Sequence, residues 1–407
     1  MDRLRVAYHD FDGFFAACEK LYHPELLHRP VAIAALDNTA GSCVAACYIA
    51  KAHGVRTGTS VREARHLCPG ITILPSRHRL YVRLNLEIAA MFDSIAELER
   101  IRSVDEHQFR LSGPARTLDG ARRQVMHMKQ LLKVRYGSAI TFSAGVAANP
   151  LLAKISSKLD KPDGFSWLGE SNMPQRLAGL DLTDLPGISS AIRDRLSRAG
   201  VTSIPQLWSM DPRHARAVWR SVDGERFVRA LRGEYIPLVA TRKSGLGAGK
   251  VLSPANRRED AARQVGRWLV QKASARLRRQ GWASGQFSLH VALGWHDPQK
   301  PTWTWERSIR MQCSQDSIFF LRIFEHLWSR MCSEARPVVQ ILSLHVQFGG
   351  LVSLQQRTGD LLEGTRPGEL SAGERVSKAM DLLNDRFGPG TVVIGEERPH
   401  PGFFERG

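Results

Sequence analysis

Two short strands that lead to carboxylates, far apart in the chain, most constrain how this protein can fold. Leu4 to Tyr8 reads as a buried strand leading into His9, Asp10, Phe11, Asp12 and Gly13, after which Ala16-Ala17-Cys18-Glu19-Lys20 continues in a helix-like pattern. A second stretch, Glu99 to Leu111, has Asp105 and Glu106 at a turn-like centre, and Thr141 to Ala147 forms a third strand closed by Asn149-Pro150. If these strands share one sheet, Asp10, Asp105 and Glu106 converge. Such convergence suits phosphoryl transfer, in which two cations about 3.5–4 Å apart face the attacking and leaving oxygens. On spacing alone, solvated turn acids remain the commoner reading.

A chain of 407 residues exceeds one ordinary core and is expected to divide into two to four domains. Residues 20–76 are long enough for an inserted α/β subdomain rather than a loop. From 166 to 236 the pattern is short helices, and Leu185-Pro186-Gly187-Ile188-Ser189 before an amphipathic run reads as a helix-hairpin-helix. Residues 237–247, with Pro237, Arg242, Lys243, Gly245 and Gly247, look like a basic linker. The following order is a strand near 247–252, a helix 257–280, strands 286–293 and 302–311, a helix 315–334 and a strand 338–348. This βαββαβ order predicts a four-stranded sheet backed by two helices. From 351 the chain is expected to be a polar tail with one terminal helix, Arg375 to Phe387.

The formal charge of +17 and pI of about 10.1 attract polyanions, nucleic acid most simply. Between Asn256 and Gly281 eight basic residues, Arg257 and Arg258 among them, face only Glu259 and Asp260, which suggests a phosphate-tracking face. Trp268, Leu269 and Leu277 at helical spacing leave open that some of these arginines merely solvate the outer face of a packed helix. Trp303 and Trp305, two apart, are expected on a core face. No stretch approaches the ~20 consecutive apolar residues of a membrane span. The N-terminus has no apolar signal region, so a cytoplasmic location is expected. The six cysteines include no CxxC pair and read as reduced, mostly buried thiols.

The run His9-Asp10-Phe11-Asp12-Gly13-Phe14-Phe15-Ala16-Ala17-Cys18-Glu19 resembles the first motif of Y-family (UmuC/DinB-type, polymerase IV-like) DNA polymerases, and Ser103-Val104-Asp105-Glu106 resembles their second. The likeness continues through Ala46 to Arg56, Ser143 to Val146, Leu152 to Pro162 and the 185–188 hairpin, in the family's order. It implies an α+β multidomain, right-hand polymerase: palm from 1–19 and 77–165, fingers 20–76, and a helical thumb 166–236 carrying the helix-hairpin-helix. A linker 237–247, a βαββαβ little-finger domain 248–350 and a C-terminal tail 351–407 would complete it.

The implied activity is template-directed DNA synthesis of the low-fidelity, translesion kind, serving damage tolerance. By the resemblance, Asp10, Asp105 and Glu106, with the Phe11 carbonyl, would hold two Mg2+ ions, while Asp12 has a structural role. Phe15 stands at the steric gate against a ribose 2′-hydroxyl. Backbone N–H groups of Phe14 and Phe15 at a helix start would meet the triphosphate, as would Tyr48, Lys51 and Lys161. Gly187, Ser189, Arg257 and Arg258 would contact primer-template DNA. Gln356 to Leu362 weakly resembles a sliding-clamp peptide. The sequence departs from the family at Lys51, where arginine is usual, at His107-Gln108 after the acidic pair, and at Ser189, where a glycine is common. The main alternative is a catalytically weak, DNA-binding mutagenesis accessory protein of the same fold; a palm-type cyclase or nuclease is a more distant one.

Overall fold

The structure, a computed structural model, describes residues 4–35, 41–237, 243–295, 300–335, 340–357 and 369–399. The chain divides into two compact units, one holding the described residues up to 237 and the other those from 243 on. Among the described residues no helix is long and apolar enough to cross a membrane.

In the first unit the strands are β1 (Val6–Phe11), β2 (Val31–Ala34), β3 (Cys43–Ala46), β4 (Thr72–Pro75), β5 (Glu97–Ser103), β6 (Glu106–Arg110), β7 (Phe142–Ala147) and β8 (Phe165–Leu168). The main sheet has the order β5-β6-β1-β7-β8, so the first strand lies at its centre, antiparallel to β6 and β7. Its residues alternate between two buried faces: Ala7 and Phe11 join one core cluster, Val6 and Tyr8 another. Burial on both faces explains why the strand reads as almost continuously apolar. The first face is covered by helices His78–Asp93 and Leu118–Tyr136, which supply Leu84, Ile88, Phe92, Val125 and Met128. On the second face lies helix Pro150–Leu159, entered through Asn149, whose side chain accepts from the Leu152 N–H. This helix approaches the sheet so closely that a Cβ on Gly145 of β7 would lie 2.1 Å from the Ser157 backbone nitrogen.

A smaller sheet, β3-β2-β4, forms where the inserted α/β subdomain is expected, with β2 and β4 parallel and helices Tyr48–Ala52 and Val61–Leu67 alongside. After β8 come the short helices Ser190–Arg198, Ile204–Ser209, Pro212–Trp219 and Val222–Leu231, packed through Leu196, Ile204, Leu207, Val228 and Leu231. The element before the 185–189 hairpin is only a 3-10 turn, Leu182–Asp184, closed by an Asp181/Asp184 capping box. The expected first helix is therefore a single turn, because Pro186 follows it at once.

The second unit carries β9 (Gly245–Val251), α-helix Glu259–Arg279, β10 (Trp282–Gly294), β11 (Trp303–Ser314), α-helix Ser317–Glu334 and β12 (Gln340–Ser353), in the expected βαββαβ order. Its antiparallel sheet runs β11-β10-β12-β9. The two helices pack Leu269, Leu277, Phe320 and Phe324 onto Phe287, Phe348 and Val346, and Trp305 joins this core while Trp303 packs at its margin. Each fully buried phenylalanine contributes roughly 1.5–3 kcal/mol.

Two expectations are corrected here. Strand β9 begins at Gly245, inside the stretch expected as linker. Its glycines suggest a loop by composition, yet Cβ atoms on Gly247 and Gly249 would meet the Val346 and Leu344 carbonyls at 2.6 and 3.0 Å, so small residues serve a close-packed edge strand. The stretch from 351 is also more than a tail. Helix Ala372–Phe387 is fastened to the second unit by ion pairs Arg278–Asp381 (2.6 Å) and Arg357–Glu374 (2.7 Å). Of the described cysteines, all six are free thiols.

Candidate active site

The antiparallel register of β1 with β6 sets Asp10 opposite Glu106, and Asp105 lies in the turn that enters β6. The Phe11 N–H donates to the Asp105 carbonyl at 2.9 Å, tying the two acidic segments together. Asp10 and Glu106 thus face each other across the strand pair, with Asp105 next to Glu106 at the same end of the central sheet. Strand β1 stops because Gly13 turns left-handed, at φ 57°, and caps helix Phe14–Tyr22. A Cβ at Gly13 would stand 3.0 Å from the Ala46 carbonyl, so the turn is pressed against β3.

Each acid has distinct partners. Asp10 pairs with Lys161; Glu106 pairs with Lys154 at 2.6 Å and accepts from the Tyr8 hydroxyl at 2.8 Å. Asp105 accepts from the Ser103 hydroxyl at 2.6 Å. Burial pushes the Asp10 carboxyl above its usual range; Asp105 and Glu106 add to this and Lys161 opposes it. Burial would also raise Glu106, but hydrogen bonds from Lys154 and Tyr8, and the charges of Lys154 and Lys158, outweigh it and hold the group below its usual value. Tyr8 is in turn pushed up by burial and by Glu106.

Asp12 is structural, as expected. Its carboxylate accepts from Thr141 and Ser143 hydroxyls at 3.0 Å each, from the Asp163 N–H at 2.8 Å and from the Tyr48 hydroxyl at 3.5 Å. Tyr48 is thereby brought to the acidic end of the sheet, and the Lys51 ammonium lies 4.3 Å from its ring centroid. Lys51 is lowered by burial and by nearby Lys161, while Asp12 and Asp10 pull the other way, which places these cations and acids in one polar nest. Phe15 is half-buried and stacks on Tyr81 with centroids 4.4 Å apart; the Phe14 ring is buried against Phe11, so only its backbone can face a ligand.

His107, a departure from the family pattern, points away from the acids into the opposite core. Its ring nitrogen lies 2.8 Å from Asn85 Nδ2, and burial pushes its pKa down to about 4. Gln108 donates to Glu99 at 2.8 Å. Both side chains are buried within the sheet, and the partners they bond are Asn85 and Glu99 rather than Asp10, Asp105 or Glu106.

Sequence reasoning assigned no role to Tyr8 or Lys154. The signal for Lys154 was present in the spacing Lys154, Lys158, Lys161, which places successive cations along one side of the helix end. Tyr8 carries no such signal, since a tyrosine in a buried strand reads as core.

The expected DNA-contact residues fare differently. Gly187 adopts φ 101° and Ser189 caps helix Ser190–Arg198, accepting from the Ile192 N–H at 3.3 Å. Ser189→Ala is expected to cost about 1 kcal/mol, read as a lower unfolding midpoint in urea. Arg257 bonds the Leu252 carbonyl at 3.2 Å and the Gln340 side chain at 3.4 Å, so its guanidinium serves the fold; Arg258 is exposed at the start of helix Glu259–Arg279. Much of that helix's positive charge is answered internally. Arg263 and Arg267 pair with Glu325, Arg278 with Asp381 and Arg279 with Asp385. Of the eight cations between Asn256 and Gly281, these four have carboxylate partners within the unit. Of the clamp-like segment, Gln356 and Arg357 are described, and Thr358 to Leu362 lie outside the described residues.

Among the described residues no three His, Cys, Asp or Glu side chains are arranged as a group able to hold a metal. The donor chemistry nevertheless fits a hard divalent cation. Three carboxylates gather at adjacent strand ends, the charge on Asp10 is disfavoured by burial and its neighbours, and lysine ammoniums already offset Asp10 and Glu106.

Residues 9–158 match the impB/mucB/samB family and residues 243–361 match the C-terminal domain of that family. A protein named DNA polymerase IV 1 from Mesorhizobium japonicum is 33% identical over 283 residues, a segment covering 69% of this chain and 64% of the relative. A protein named DNA polymerase IV from Moorella thermoacetica is 29% identical over 93% of this chain and 92% of its own length. A solved Y-family DNA polymerase chimera shares the fold, with a TM-score of 0.69 at 19% identity over 86% of this chain and 99% of the chimera. With both portions of the impB/mucB/samB pattern matched in order and the acids of both motifs at one sheet end, this chain belongs to the Y-family of DNA polymerases, in its DinB-type branch.

Proposed function

We propose that the protein is a template-directed DNA polymerase that performs translesion synthesis, joining deoxynucleotides to a primer 3′-hydroxyl by attack on the α-phosphate. The observation that carries this reading is the meeting of Asp10, Asp105 and Glu106 at the end of β1 and β6, beside Tyr48, Lys51 and Lys161. In this reading the five-stranded sheet is the palm (1–19 and 77–165), the β3-β2-β4 subdomain the fingers (20–76), the short helices the thumb (166–236) and the second unit the little finger. Primer-template DNA and deoxynucleoside triphosphates are the substrates, a sliding clamp is a candidate partner through Gln356 to Leu362, and the cytoplasm is the place of action.

Asp10, Asp105, Glu106 and the Phe11 carbonyl would hold the metal. Two magnesium ions there supply Lewis-acid stabilisation of the attacking and departing oxygens. Lys161 and Lys51 offset triphosphate charge, and the N–H groups opening helix Phe14–Tyr22 donate to phosphate oxygens. Lys161 and Lys154 hold Asp10 and Glu106 against mutual repulsion until substrate and metal arrive. Asp12, fixed by four donors, keeps Tyr48 and the 163 turn in place around the nucleotide. Phe15, backed by Tyr81, presents a fixed ring edge to the sugar. Phe15→Ala is expected to lower the preference for deoxy- over ribonucleotides by roughly a hundredfold, measured as the ratio of single-nucleotide kcat/KM values.

The test is primer extension with magnesium and deoxynucleotides on undamaged and abasic templates. Extension across both supports the translesion reading. Extension on undamaged template alone leaves a polymerase without lesion bypass. A clean protein that binds primer-template DNA and extends neither is the accessory factor instead.

A further inference from the structure

Helix Phe14–Tyr22 carries Phe15 and Glu19 one turn apart on one face, and helix His78–Asp93, with Arg77 as its N-cap, does the same with Arg77 and Tyr81. These two faces meet. Phe15 stacks on the Tyr81 ring with centroids 4.4 Å apart. One turn further on, the Glu19 carboxylate, only 2% exposed, accepts from the Tyr81 hydroxyl at 2.6 Å and from Arg77 Nε at 3.0 Å, while its second oxygen accepts from Arg77 Nη2. The Tyr81 hydroxyl also accepts from the Arg77 backbone N–H at 3.0 Å. Tyr81 is therefore held at both ends, by a ring on its face and by a buried ion pair at its hydroxyl.

Packing alone does not call for a carboxylate here. An apolar side chain at position 19 would fill the space with no charge to desolvate, and a buried ion pair is at best weakly stabilising against such a replacement. What the pair supplies is direction, because a planar guanidinium fork on a carboxylate fixes both partners in one geometry. Its location gives that direction a use. In the division proposed above, the chain passes from palm to fingers after Glu19 and returns at Arg77, so the fork ties the two crossings together. Next to it, the Ser76 N–H donates to the Ala34 carbonyl of β2 at 3.0 Å. The ring attached to this joint is the one on which Phe15 rests.

We propose that the Glu19–Arg77 pair is a positioning device for nucleotide-sugar selection: through the Tyr81 hydroxyl it fixes the Tyr81 ring, and that ring fixes how far the Phe15 edge reaches toward the sugar. Glu19 and Arg77 act through these rings and not on the nucleotide. The inference rests on the polymerase reading and on Phe15 as its gate.

The test measures insertion of single deoxy- and ribonucleotides by the full chain on primer-template DNA and takes the ratio of the two kcat/KM values. A variant that merely folds less well loses active protein equally for both nucleotides and leaves the ratio where it was. Glu19→Gln, which keeps the shape without the charge, and Tyr81→Phe, which keeps the ring without the hydroxyl, are each expected to lower the ratio about tenfold. In a Phe15→Ala background the same substitutions should change it by less than about twofold, because no ring is left to position. A ratio unmoved by Glu19→Gln and Tyr81→Phe, in a protein where Phe15→Ala does lower it, overturns the inference and leaves the gate standing. An equal fall with and without Phe15 also overturns it, since the pair then acts by another route. A ratio unmoved by Phe15→Ala itself removes the gate, absence of any insertion removes the polymerase reading, and the inference falls with either.

Discussion

Primer extension by the Asp105→Ala protein is expected to fall on the order of a thousandfold, about 4 kcal/mol of transition-state stabilisation, with affinity for primer-template DNA within a factor of two of wild type. Asp105 is the cleanest position for this test. Its carboxylate has the Ser103 hydroxyl as its hydrogen-bond donor at 2.6 Å, so truncation leaves no charged partner stranded. Glu106→Ala should lose activity equally, but it also deprives Lys154 and the Tyr8 hydroxyl of their acceptor, and a stability loss of roughly 1–3 kcal/mol should accompany it. The two variants therefore separate chemistry from folding. Equal loss of activity with unequal loss of unfolding free energy supports the metal-ligand assignment. Undiminished extension by Asp105→Ala removes Asp105 from it.

Glu374→Ala is expected to release the C-terminal helix, lowering its amide protection in hydrogen exchange by roughly a hundredfold, about 3 kcal/mol. The Glu374 side chain is wholly buried, and its carboxylate accepts from Arg357 at 2.7 and 2.9 Å and from the N–H groups of Gln315 and Ser371 at 3.0 Å each. Removal leaves a guanidinium, itself only 14% exposed, with no counter-ion, and strands two backbone donors. The pair Arg279–Asp385 is the control, because its side chains are 65% and 61% exposed. Asp385→Ala should change protection by no more than about twofold, since solvent screens such pairs to within about 0.5 kcal/mol. Protection in Glu374→Ala equal to that in Asp385→Ala would show that the helix is held by something other than this buried pair.

Both experiments also bear on the strong positive charge. Part of it attracts nucleic acid, but helix Glu259–Arg279 shows that a row of arginines can be internal. Glu325, Asp381 and Asp385 arrive from two other helices to meet it. Reading the helix alone, its arginines were divided between phosphate contacts and solvation; the structure adds the third possibility, docking of a distant segment.

What the amino-acid order determined by itself were the features set by local periodicity and by motif. Strand β1 is apolar on both faces and ends at a glycine that must turn left-handed, so its place and its acidic end were readable, as was the βαββαβ order from alternating 2 and 3.6 periods. The tertiary structure decided everything that depends on residues meeting across long separations. It decided that Lys154 and Tyr8 hold Glu106, that the glycines of β9 form an edge strand, that His107 turns into the core, and that the last helix buries Glu374 and exposes Leu382, Leu383 and Phe387. A sequence pattern reports which face of an element is apolar, but not which charges elsewhere will come within a few ångströms of it. Where a buried arginine waits for a carboxylate, that pairing outweighs the usual preference for apolar contact.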